Sequence, residues 1–248
     1  MVISPFSLEN KNILVTGASS GIGRATAVAC SKMGATLLIT GRNEDELQNT
    51  IRLMSGSGHR AIIADLNEES ELDNLVNSLP LLDGFVSNAG INKRMLVQYL
   101  KTNEIDVVLN TNLISPILLT KKLLKLKRIK NGASLIYLSS IAVFQSSIGD
   151  SVYSATKGGL NSFSKVLALE LAGKKIRVNT IQPGMVRTNL MENGPLSSDE
   201  YQKDEKKYPL GRYGNPDDIA YAAVYLLSDQ TCWMTGTDLI VDGGRSLI

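Results

Sequence analysis

Histidine and cysteine are nearly absent from the sequence, which has one histidine, His59, and two cysteines, Cys30 and Cys232. Two distant cysteines give no disulfide framework. With a single histidine they give neither the ligand spacing of a metal site nor a Ser-His-Asp triad. Cys30 lies in a helical pattern among alanines, which is typical of a small core residue. The sequence therefore predicts no metal site and no histidine-based nucleophilic catalysis.

The sequence also lacks a large excess of charge. Its 26 Lys and Arg against 24 Asp and Glu leave a formal net charge of +2, which gives no general attraction to nucleic acid or to a membrane surface. The segment from Met1 to Phe6 has neither the basic region nor the long apolar segment of a signal peptide, and no apolar run has the length that crosses a bilayer. We expect a cytoplasmic protein that binds neither nucleic acid nor membrane.

Short apolar runs alternate with amphipathic, helix-length segments along all 248 residues. The helical patterns lie near residues 21–33, 43–55, 68–79, 98–128, 152–173 and 216–228. The strand-like runs are Ile13–Val15, Thr36–Ile39, Ala61–Ile63, Phe85–Val86, Leu135–Leu138, Arg177–Ile181 and Leu239–Val241. This alternation predicts a single α/β domain, a doubly wound sheet of about seven parallel strands with helices on both faces. Ligands of such sheets bind beyond the carboxyl ends of the strands, so the residues that follow each strand are the candidates.

A glycine-rich loop follows the first predicted strand and runs from Thr16 to Gly23 as T-G-A-S-S-G-I-G. Glycine lets the backbone turn tightly and approach a phosphate, and the helix that follows offers unpaired N–H groups and a positive dipole end. The spacing is neither G-x-G-x-x-G nor a Walker loop. The candidate cofactor-binding residues of this loop are Gly17, Ser19, Ser20, Gly21, Ile22 and Gly23.

Arg42 follows the second predicted strand, where an acidic residue would bind the ribose hydroxyls of NAD. No acidic residue appears there before Glu44. A guanidinium suits a 2′-phosphate, with which it forms bidentate, charge-assisted hydrogen bonds. Ser19, Ser20 and Arg24 are possible helpers, and the alternative is a solvated arginine at a helix start. The sequence favours NADP over NAD.

Small and polar residues follow three further strands. Asp65 and Leu66 follow the third strand, where Asp65 either accepts a hydrogen bond from the adenine amino group or caps the next helix. Asn88-Ala89-Gly90 follow the fourth, where a backbone can lie against a cofactor. The sixth strand is broken by Pro183-Gly184, and Thr188 offers a hydroxyl just beyond.

The fifth predicted strand ends at Ser139 and Ser140, and a helical pattern containing Tyr153 and Lys157 follows it. Residues four apart share a helix face. An ammonium beside a phenol lowers the phenol's pKa from its usual value of about 10 and makes it a usable proton donor near neutral pH. A serine hydroxyl would hold a carbonyl oxygen against that phenol. The alternative is a surface tyrosine and a solvated lysine. Asn112 is an unusual choice inside a helical pattern.

Together these residues resemble the short-chain dehydrogenase/reductase family over essentially the whole chain. The motifs that carry the resemblance are Thr16 to Gly23 for T-G-x-x-x-G-x-G, Asn88 to Gly90 for N-A-G, Tyr153 to Lys157 for Y-x-x-x-K and Pro183-Gly184 for P-G. Asn112 and Ser140 fall where the family has its other two catalytic residues. These motifs and single residues, in the family's order along the chain, make a chance match very improbable, and the overall layout resembles the 3-oxoacyl-acyl-carrier-protein reductases.

The resemblance implies a Rossmann-type reductase domain over residues 1–248 that uses NADP(H) to reduce a ketone. Ser140 would hydrogen-bond the carbonyl oxygen, and Tyr153 would protonate it. Lys157 would lower the tyrosine pKa and bind the nicotinamide ribose, and Asn112 would hold a water. The main chain of Val186 and Thr188 would fix the carboxamide. The substrate would be a 3-oxoacyl thioester, with a sugar, polyol, steroid or other small ketone as the alternative.

Two surface features and the oligomeric state complete the expectations. The polar segment from Asn189 to Tyr208 is predicted to be a mobile lid. Basic residues at two helix ends, Lys121 to Lys130 and Lys174-Lys175, are predicted to lie near the active-site mouth, where they would receive an acidic acyl carrier protein, or else to be solvated cations. The family implies a homotetramer, and Trp233 agrees with a buried C-terminus. A cofactor-sensing protein and a methyltransferase are the competing classes, which the Tyr153/Lys157 pair disfavours.

Overall fold

Seven parallel strands form the centre of the computed structural model, which describes residues 5–188 and 198–248. Their order in the sheet is β3-β2-β1-β4-β5-β6-β7. The strands are β1 (Asn12–Thr16), β2 (Thr36–Gly41), β3 (Arg60–Ile63), β4 (Leu82–Ser87), β5 (Ile129–Leu138), β6 (Arg177–Pro183) and β7 (Asp238–Val241). The predicted doubly wound parallel sheet is confirmed.

Helices cover both faces of this sheet. They are α1 (Gly21–Lys32), α2 (Glu44–Leu53), α3 (Glu69–Ser78), α4 (Thr102–Leu109), α5 (Ser115–Lys125), α6 (Ser151–Leu171), α7 (Ser198–Glu205) and α8 (Pro216–Leu227). Ile13 and Val15 of β1 pack with α1, α2 and α8, whereas Leu14 packs with α3, α5 and α6. Because alternate residues of a strand face opposite sides, a strand that is covered on both sides reads as a continuous apolar run. Cys30 is fully buried in the first of these layers, as predicted.

The strand order reverses between β1 and β4, since the chain adds β2 and β3 on one side of β1 and β4 to β7 on the other. After β1 it passes to α1 on one face, and after β4 it passes to α4 on the other, so the two strand ends diverge and leave a crevice. Thr16 holds these ends together, since its hydroxyl accepts hydrogen bonds from the N–H groups of Asn88 (3.0 Å) and Ala89 (3.1 Å). The crevice is where a ligand of this fold is expected.

The helical stretch Thr102–Lys125 passes through a π-helical segment, Asn110–Ile114, between α4 and α5. By length and composition alone this stretch is apolar enough to cross a membrane, which the sequence did not lead us to expect. Its residues Leu119 and Leu123 are fully buried in the core between sheet and helices. Core helices of soluble proteins commonly pass the same test, so the stretch is weak evidence for a membrane span.

The basic helix ends lie far from the crevice, which contradicts the predicted position of the carrier-docking site. Lys125 ends α5 just before β5 begins, and Lys174 and Lys175 directly precede β6. A helix that connects parallel strands ends at their amino edge, opposite the carboxyl edge where ligands bind. Lys122 also pairs with Asp73 of α3 at 2.5 Å. These cations therefore do not face the active-site mouth.

The predicted lid is only partly described, because residues 189–197 lie outside the described residues. Its second half is the helix α7 followed by Tyr208, which is buried against the ring of Tyr213 with 5.1 Å between ring centroids. Glu205 accepts a hydrogen bond from the Tyr213 N–H at 2.9 Å. The aromatic side chains anchor this half to the domain, which excludes the alternative interpretation of its polar composition as a solvated surface loop.

Trp233 is 98% exposed in the single chain, so the expected burial of the C-terminus requires a second copy of the chain. The turn before Trp233 buries Thr231 instead, whose hydroxyl donates to the carbonyl of Leu226 at 3.1 Å. Leu247 and Ile248 are also exposed. The C-terminal apolar residues are therefore not part of this chain's core.

Candidate active site

The glycine-rich loop packs directly against the residues that follow β4. Gly17 has a left-handed φ of +63°, and a Cβ there would lie 2.8 Å from the Ala89 Cα. A Cβ on Gly23 would collide with the Gly17 carbonyl and the Asn88 side chain. Asn88 in turn donates to the carbonyls of Thr16 (3.0 Å) and Gly17 (3.1 Å). Close contacts therefore require glycine at positions 17 and 23. The loop leads directly into the N-terminus of α1, where the first N–H groups of the helix lie.

Arg42 and Asp65 lie together at one end of the crevice. An Arg42 guanidinium nitrogen is 4.0 Å from a carboxylate oxygen of Asp65, and the Arg42 side chain is 71% exposed. Asp65 also accepts a hydrogen bond from the Asn67 N–H at 3.0 Å, so it closes a turn and does not cap α3, which begins later at Glu69. Arg42 keeps its donors available to an anion. We call this region the nucleotide end of the cleft.

Arg24, a possible helper of Arg42 by sequence, is committed elsewhere. Its guanidinium pairs with the carboxylate of Glu46 and donates to the carbonyl of Ser19 and the hydroxyl of Thr50. It does not line the cleft. The helix α1 points it towards α2, because both helices pack on the same sheet face. Arg24 stabilises the glycine-rich loop and α2.

Ser140, Tyr153 and Lys157 converge beyond the end of β5. The hydroxyl of Ser140 faces the Tyr153 side chain closely enough to lower its pKa, and the Lys157 ammonium lies 5.6 Å from the centre of the Tyr153 ring. Lys157 is buried and donates to the carbonyl of Leu138 at 2.8 Å. Ser139 is also buried, and its hydroxyl donates to the carbonyl of Lys157 at 3.2 Å. The geometry thus brings Ser140, and not Ser139, against the phenol.

The pKa values of these groups differ from the sequence-based expectation of an acidified phenol. Burial raises the pKa of Tyr153 to about 12; the Ser140 hydrogen bond lowers it and the Asp150 charge raises it. Burial lowers the pKa of Lys157 to about 8. Desolvation disfavours the charged form of both groups. At neutral pH the phenol of this chain therefore holds its proton firmly, while the ammonium is close to losing its own.

Asn112 lies fully buried in the π-helical segment, behind the residues that line the cleft. Its side chain accepts from the N–H of Ile91 and donates to the carbonyl of Ile91, both at 2.8 Å, and it donates to the hydroxyl of Thr156 at 3.2 Å. A Cβ on Gly90 would lie 3.2 Å from Asn112 Oδ1 and 3.4 Å from Lys157 Nζ. π-Helical turns are common at functional sites. This one places the asparagine beside the lysine and joins the residues after β4 to α6.

A cleft of about 1010 Å³ runs along these strand ends. Most of the predicted site residues line it. They are Gly17, Ser19, Ser20, Gly21, Ile22, Arg42, Asp65, Leu66, Asn88, Ala89, Gly90, Ser140, Tyr153, Lys157, Pro183, Gly184, Val186 and Thr188. Gly23 and Asn112 support the wall from behind. In the part of the chain that the structure describes, no three His, Cys, Asp or Glu residues are grouped so as to hold a metal ion.

The sequence did not identify the wall of the cleft beyond Ser140 and Tyr153. We call this region the substrate end; its residues include Asn92, Gln145, Asp150, Tyr208 and Arg245. They come from four separated segments and have no shared motif. Tyr208 accepts from the Met185 N–H at 3.0 Å, and the Arg245 guanidinium lies 5.9 Å from its ring centre. Only the folding of the chain brings them together.

The chain matches a family model over nearly its whole length. The model is described as enoyl-(acyl carrier protein) reductase and matches residues 17–246. A solved structure described as a short chain dehydrogenase/reductase family protein superposes with a TM-score of 0.85 at 30% identity and covers 97% of this chain and 99% of that one. The chain therefore belongs to the short-chain dehydrogenase/reductase family of oxidoreductases.

Within the family the chain is similar to proteins named 3-oxoacyl-[acyl-carrier-protein] reductase. The one from Rickettsia conorii is 34% identical over 97% of this chain and 99% of its own length. The one from Mus musculus is 37% identical over 96% and 99%. A solved structure from Agrobacterium tumefaciens with bound NADP, described as a candidate 2-deoxy-D-gluconate 3-dehydrogenase, superposes with a TM-score of 0.88 at 31% identity, covering 99% of this chain and all of that one.

Proposed function

We propose that the protein, acting as one domain over residues 1–248, uses NADPH to reduce a 3-oxoacyl thioester to the corresponding secondary alcohol. The observation that carries this proposal is the convergence of Ser140, Tyr153 and Lys157 on one cleft that is also lined by the glycine-rich loop. The names of the Rickettsia and mouse relatives support the 3-oxoacyl substrate.

The nucleotide end of the cleft fits NADP. Gly17 and Gly21 line the cleft without a side chain of their own, so a phosphate can approach their backbone at the start of α1. Arg42 supplies an exposed guanidinium for the 2′-phosphate. The NADP in the Agrobacterium structure supports the choice. When bound, the nicotinamide supplies the hydride.

The residues of this chain orient the ketone and deliver the proton. The side chains of Ser140 and Tyr153 line the same part of the cleft, so a carbonyl oxygen placed between their hydroxyls can accept from both. Tyr153 is protonated at neutral pH and donates its proton as negative charge develops on that oxygen. The Lys157 ammonium favours the resulting phenolate. Asn112 positions the Ile91 main chain and Thr156 beside the lysine.

Reduction of a sugar-derived or polyol ketone is the second candidate function. The substrate end is lined by polar side chains such as Asn92, Gln145 and Asp150, and the similar Agrobacterium structure is described as acting on a sugar acid. Both candidates use the same catalytic residues. They differ in the groups next to the reacting carbonyl.

We also propose that the protein is a soluble cytoplasmic homotetramer whose substrate arrives on acyl carrier protein. Apolar side chains exposed on α6, Val166 and Leu169, form a face that suits contact with a second copy. Trp233, Leu247 and Ile248 are further exposed apolar side chains that such copies would bury. The carrier would approach the cleft mouth and not the basic helix ends.

The proposal is tested by NADPH oxidation across a panel of ketones that includes acetoacetyl thioesters. The Tyr153→Phe variant should lose a factor of about 10²–10⁴ in kcat, the usual contribution of a positioned proton donor, with little change in the Kd of NADPH. Tyr137→Phe is the matched control, because it removes a buried tyrosine hydroxyl that donates or accepts only towards Thr120 in the core. Undiminished turnover by Tyr153→Phe would contradict the proposal.

A further inference from the structure

Two buried acceptor atoms at the substrate end have no partner in the part of the chain that the structure describes. They are the side-chain oxygens Asn92 Oδ1 and Gln145 Oε1. The other unpaired buried side-chain atoms in the described residues lie away from the cleft; they are the oxygens of Thr26, Thr40 and Asn161 and the donor nitrogens of Arg128 and Arg177. Native structures pair nearly all buried polar groups with protein, water or ligand. Two of the five unpaired side-chain oxygens in the described residues therefore belong to residues that line the cleft.

The hydrogen bonds of the two amides fix which atom is the acceptor. Asn92 Nδ2 donates to Asp150 Oδ1 at 3.1 Å. Gln145 Nε2 donates to the main-chain carbonyl of Arg245 at 3.1 Å. Because both partners can only accept, neither amide can be turned round to present its nitrogen to the cleft.

Asp150 adds a third acceptor beside the reacting groups. Its Oδ1 is bonded to Asn92, and none of the described residues donates to its Oδ2. It stands at the start of α6 but does not cap the helix with its side chain. Asp150 lies three residues before Tyr153 at the N-terminus of the same helix, and both residues line the cleft. A carboxylate thus lines the cleft next to the proton donor.

The cations at the same end are already engaged. Lys93 pairs with Glu104 at 3.0 Å. Arg94 donates to the carbonyl of Ile148 at 3.2 Å, and its Nε lies 3.8 Å from Asp150 Oδ1. The Met95 N–H donates to the Gly149 carbonyl at 2.9 Å, so the two loops that carry these residues are fixed to each other. The wall therefore holds its acceptors in place. Arg245 is the exception among these cations, since its guanidinium donates to the Ile248 carbonyl at 3.5 Å and lies over the Tyr208 ring.

We infer that the substrate end selects ketones with hydrogen-bond donors near the carbonyl, and that Asp150 and Gln145 accept from those donors. The donors are amide N–H or hydroxyl groups. An amide N–H would come from the thiol arm of a thioester, and a hydroxyl would come from a polyol ketone. This inference rests on the proposed function, since it names the substrate class of the same site.

The experiment compares kcat/KM within matched pairs of ketones. The first pair is the acetoacetyl thioester of N-acetylcysteamine, which has one amide N–H, and an acetoacetyl S-alkyl thioester of similar length. The second pair is hydroxyacetone and acetone. The wild type should prefer the donor-bearing member of at least one pair by about tenfold or more, the effect of one charge-assisted hydrogen bond. The pair that shows the preference identifies the source of the donor.

The variants Asp150→Asn and Gln145→Met test which residues are responsible. Asparagine keeps the bond from Asn92 to one side-chain oxygen and replaces the other oxygen with a donor, so the preference ratio should fall to near one or invert. Methionine removes the second acceptor and should lower the ratio by about threefold to tenfold. Asn161→Ala is the matched control, because it removes an unpaired amide oxygen outside the cleft, and its ratio should equal the wild-type value.

Two results would overturn the inference: a wild-type ratio near one in both pairs, or a ratio that neither variant changes. NADPH titration of each variant shows that it is folded. Failure of the proposed function would look different, because no ketone of either pair would then be reduced with NADPH.

Discussion

Burial sets the protonation of Lys157 and Tyr153 in opposite directions. The lysine titrates near pH 8 and the phenol near pH 12. Below pH 8 both carry their protons, and between these values only the phenol does. Burial therefore destabilises the charged ammonium of Lys157, and it is this charge that stabilises the Tyr153 phenolate after proton transfer.

We predict that kcat/KM for NADPH in ketone reduction is constant below about pH 7 and falls as the pH rises through about 8, where Lys157 becomes neutral. This parameter reports the groups of the cofactor-free enzyme. The Lys157→Arg variant keeps its charge at every accessible pH. Its profile, measured relative to its own maximum, should lack the decline near pH 8. A wild-type profile that stays flat from pH 7 to about 9.5 would refute the role of the ammonium.

Arg42 determines the preference for the phosphorylated cofactor in our proposal. Arg42→Gln should raise the KM for NADPH by about 10–100-fold, the loss of charge-assisted hydrogen bonds to a phosphate, and leave the KM for NADH nearly unchanged. Steady-state kinetics with both cofactors measures this. Arg52→Gln is the control for net charge, since Arg52 lies on α2 and does not line the cleft. An equal increase in the KM values for NADPH and NADH would mean that Arg42 does not bind the 2′-phosphate.

Among the elements, the turn from β1 into α1 depends most on the absence of side chains. Gly23→Ala would press a methyl group against the Gly17 carbonyl, so the loop or α1 must shift. We expect the free energy of unfolding to fall by about 1–3 kcal/mol, as for other overpacked sites, and NADPH affinity to fall with it. Thermal unfolding and NADPH titration measure the two effects.

Gly173→Ala is the matched control for this element. A Cβ at Gly173 would meet no atom within 4 Å, and the residue is not in the left-handed region. Its stability should be unchanged or raised by up to about 1 kcal/mol, because alanine restricts the unfolded chain. If both variants behaved alike, close packing of the loop would not be what selects glycine at position 23.

At the scale of the whole molecule, the exposed apolar face of α6 predicts that copies of the chain associate through this helix. Leu169, which is 80% exposed in the single chain, should be buried between copies. Leu169→Lys would place a charge in the proposed interface, at a cost of several kcal/mol, and should convert the proposed tetramer to smaller species in analytical ultracentrifugation. Leu53→Lys is the control, since Leu53 is 56% exposed on α2, in the other helix layer. A wild type that sediments as a monomer would exclude the tetramer.

Local sequence patterns were sufficient to predict the strands, most of the helices and most residues of the nucleotide end. Strand runs such as that of β1, the glycine spacing and the four-residue interval between Tyr153 and Lys157 all depend on neighbours in the sequence. The helix α7 was not predicted, because its polar residues resemble a loop and its anchors are the distant Tyr208 and Tyr213.

The sequence by itself determined the doubly wound sheet, the loop at the first strand end and the pairing of phenol with ammonium, because each follows from periodicity or from residues within one helical turn. Only the tertiary structure decided that the basic helix ends lie at the opposite edge of the sheet from the cleft. It also decided that burial raises the pKa of Tyr153 and that Asn92, Gln145 and Asp150 form one wall. Desolvation and the meeting of distant segments arise from packing, which has no local signature in the chain.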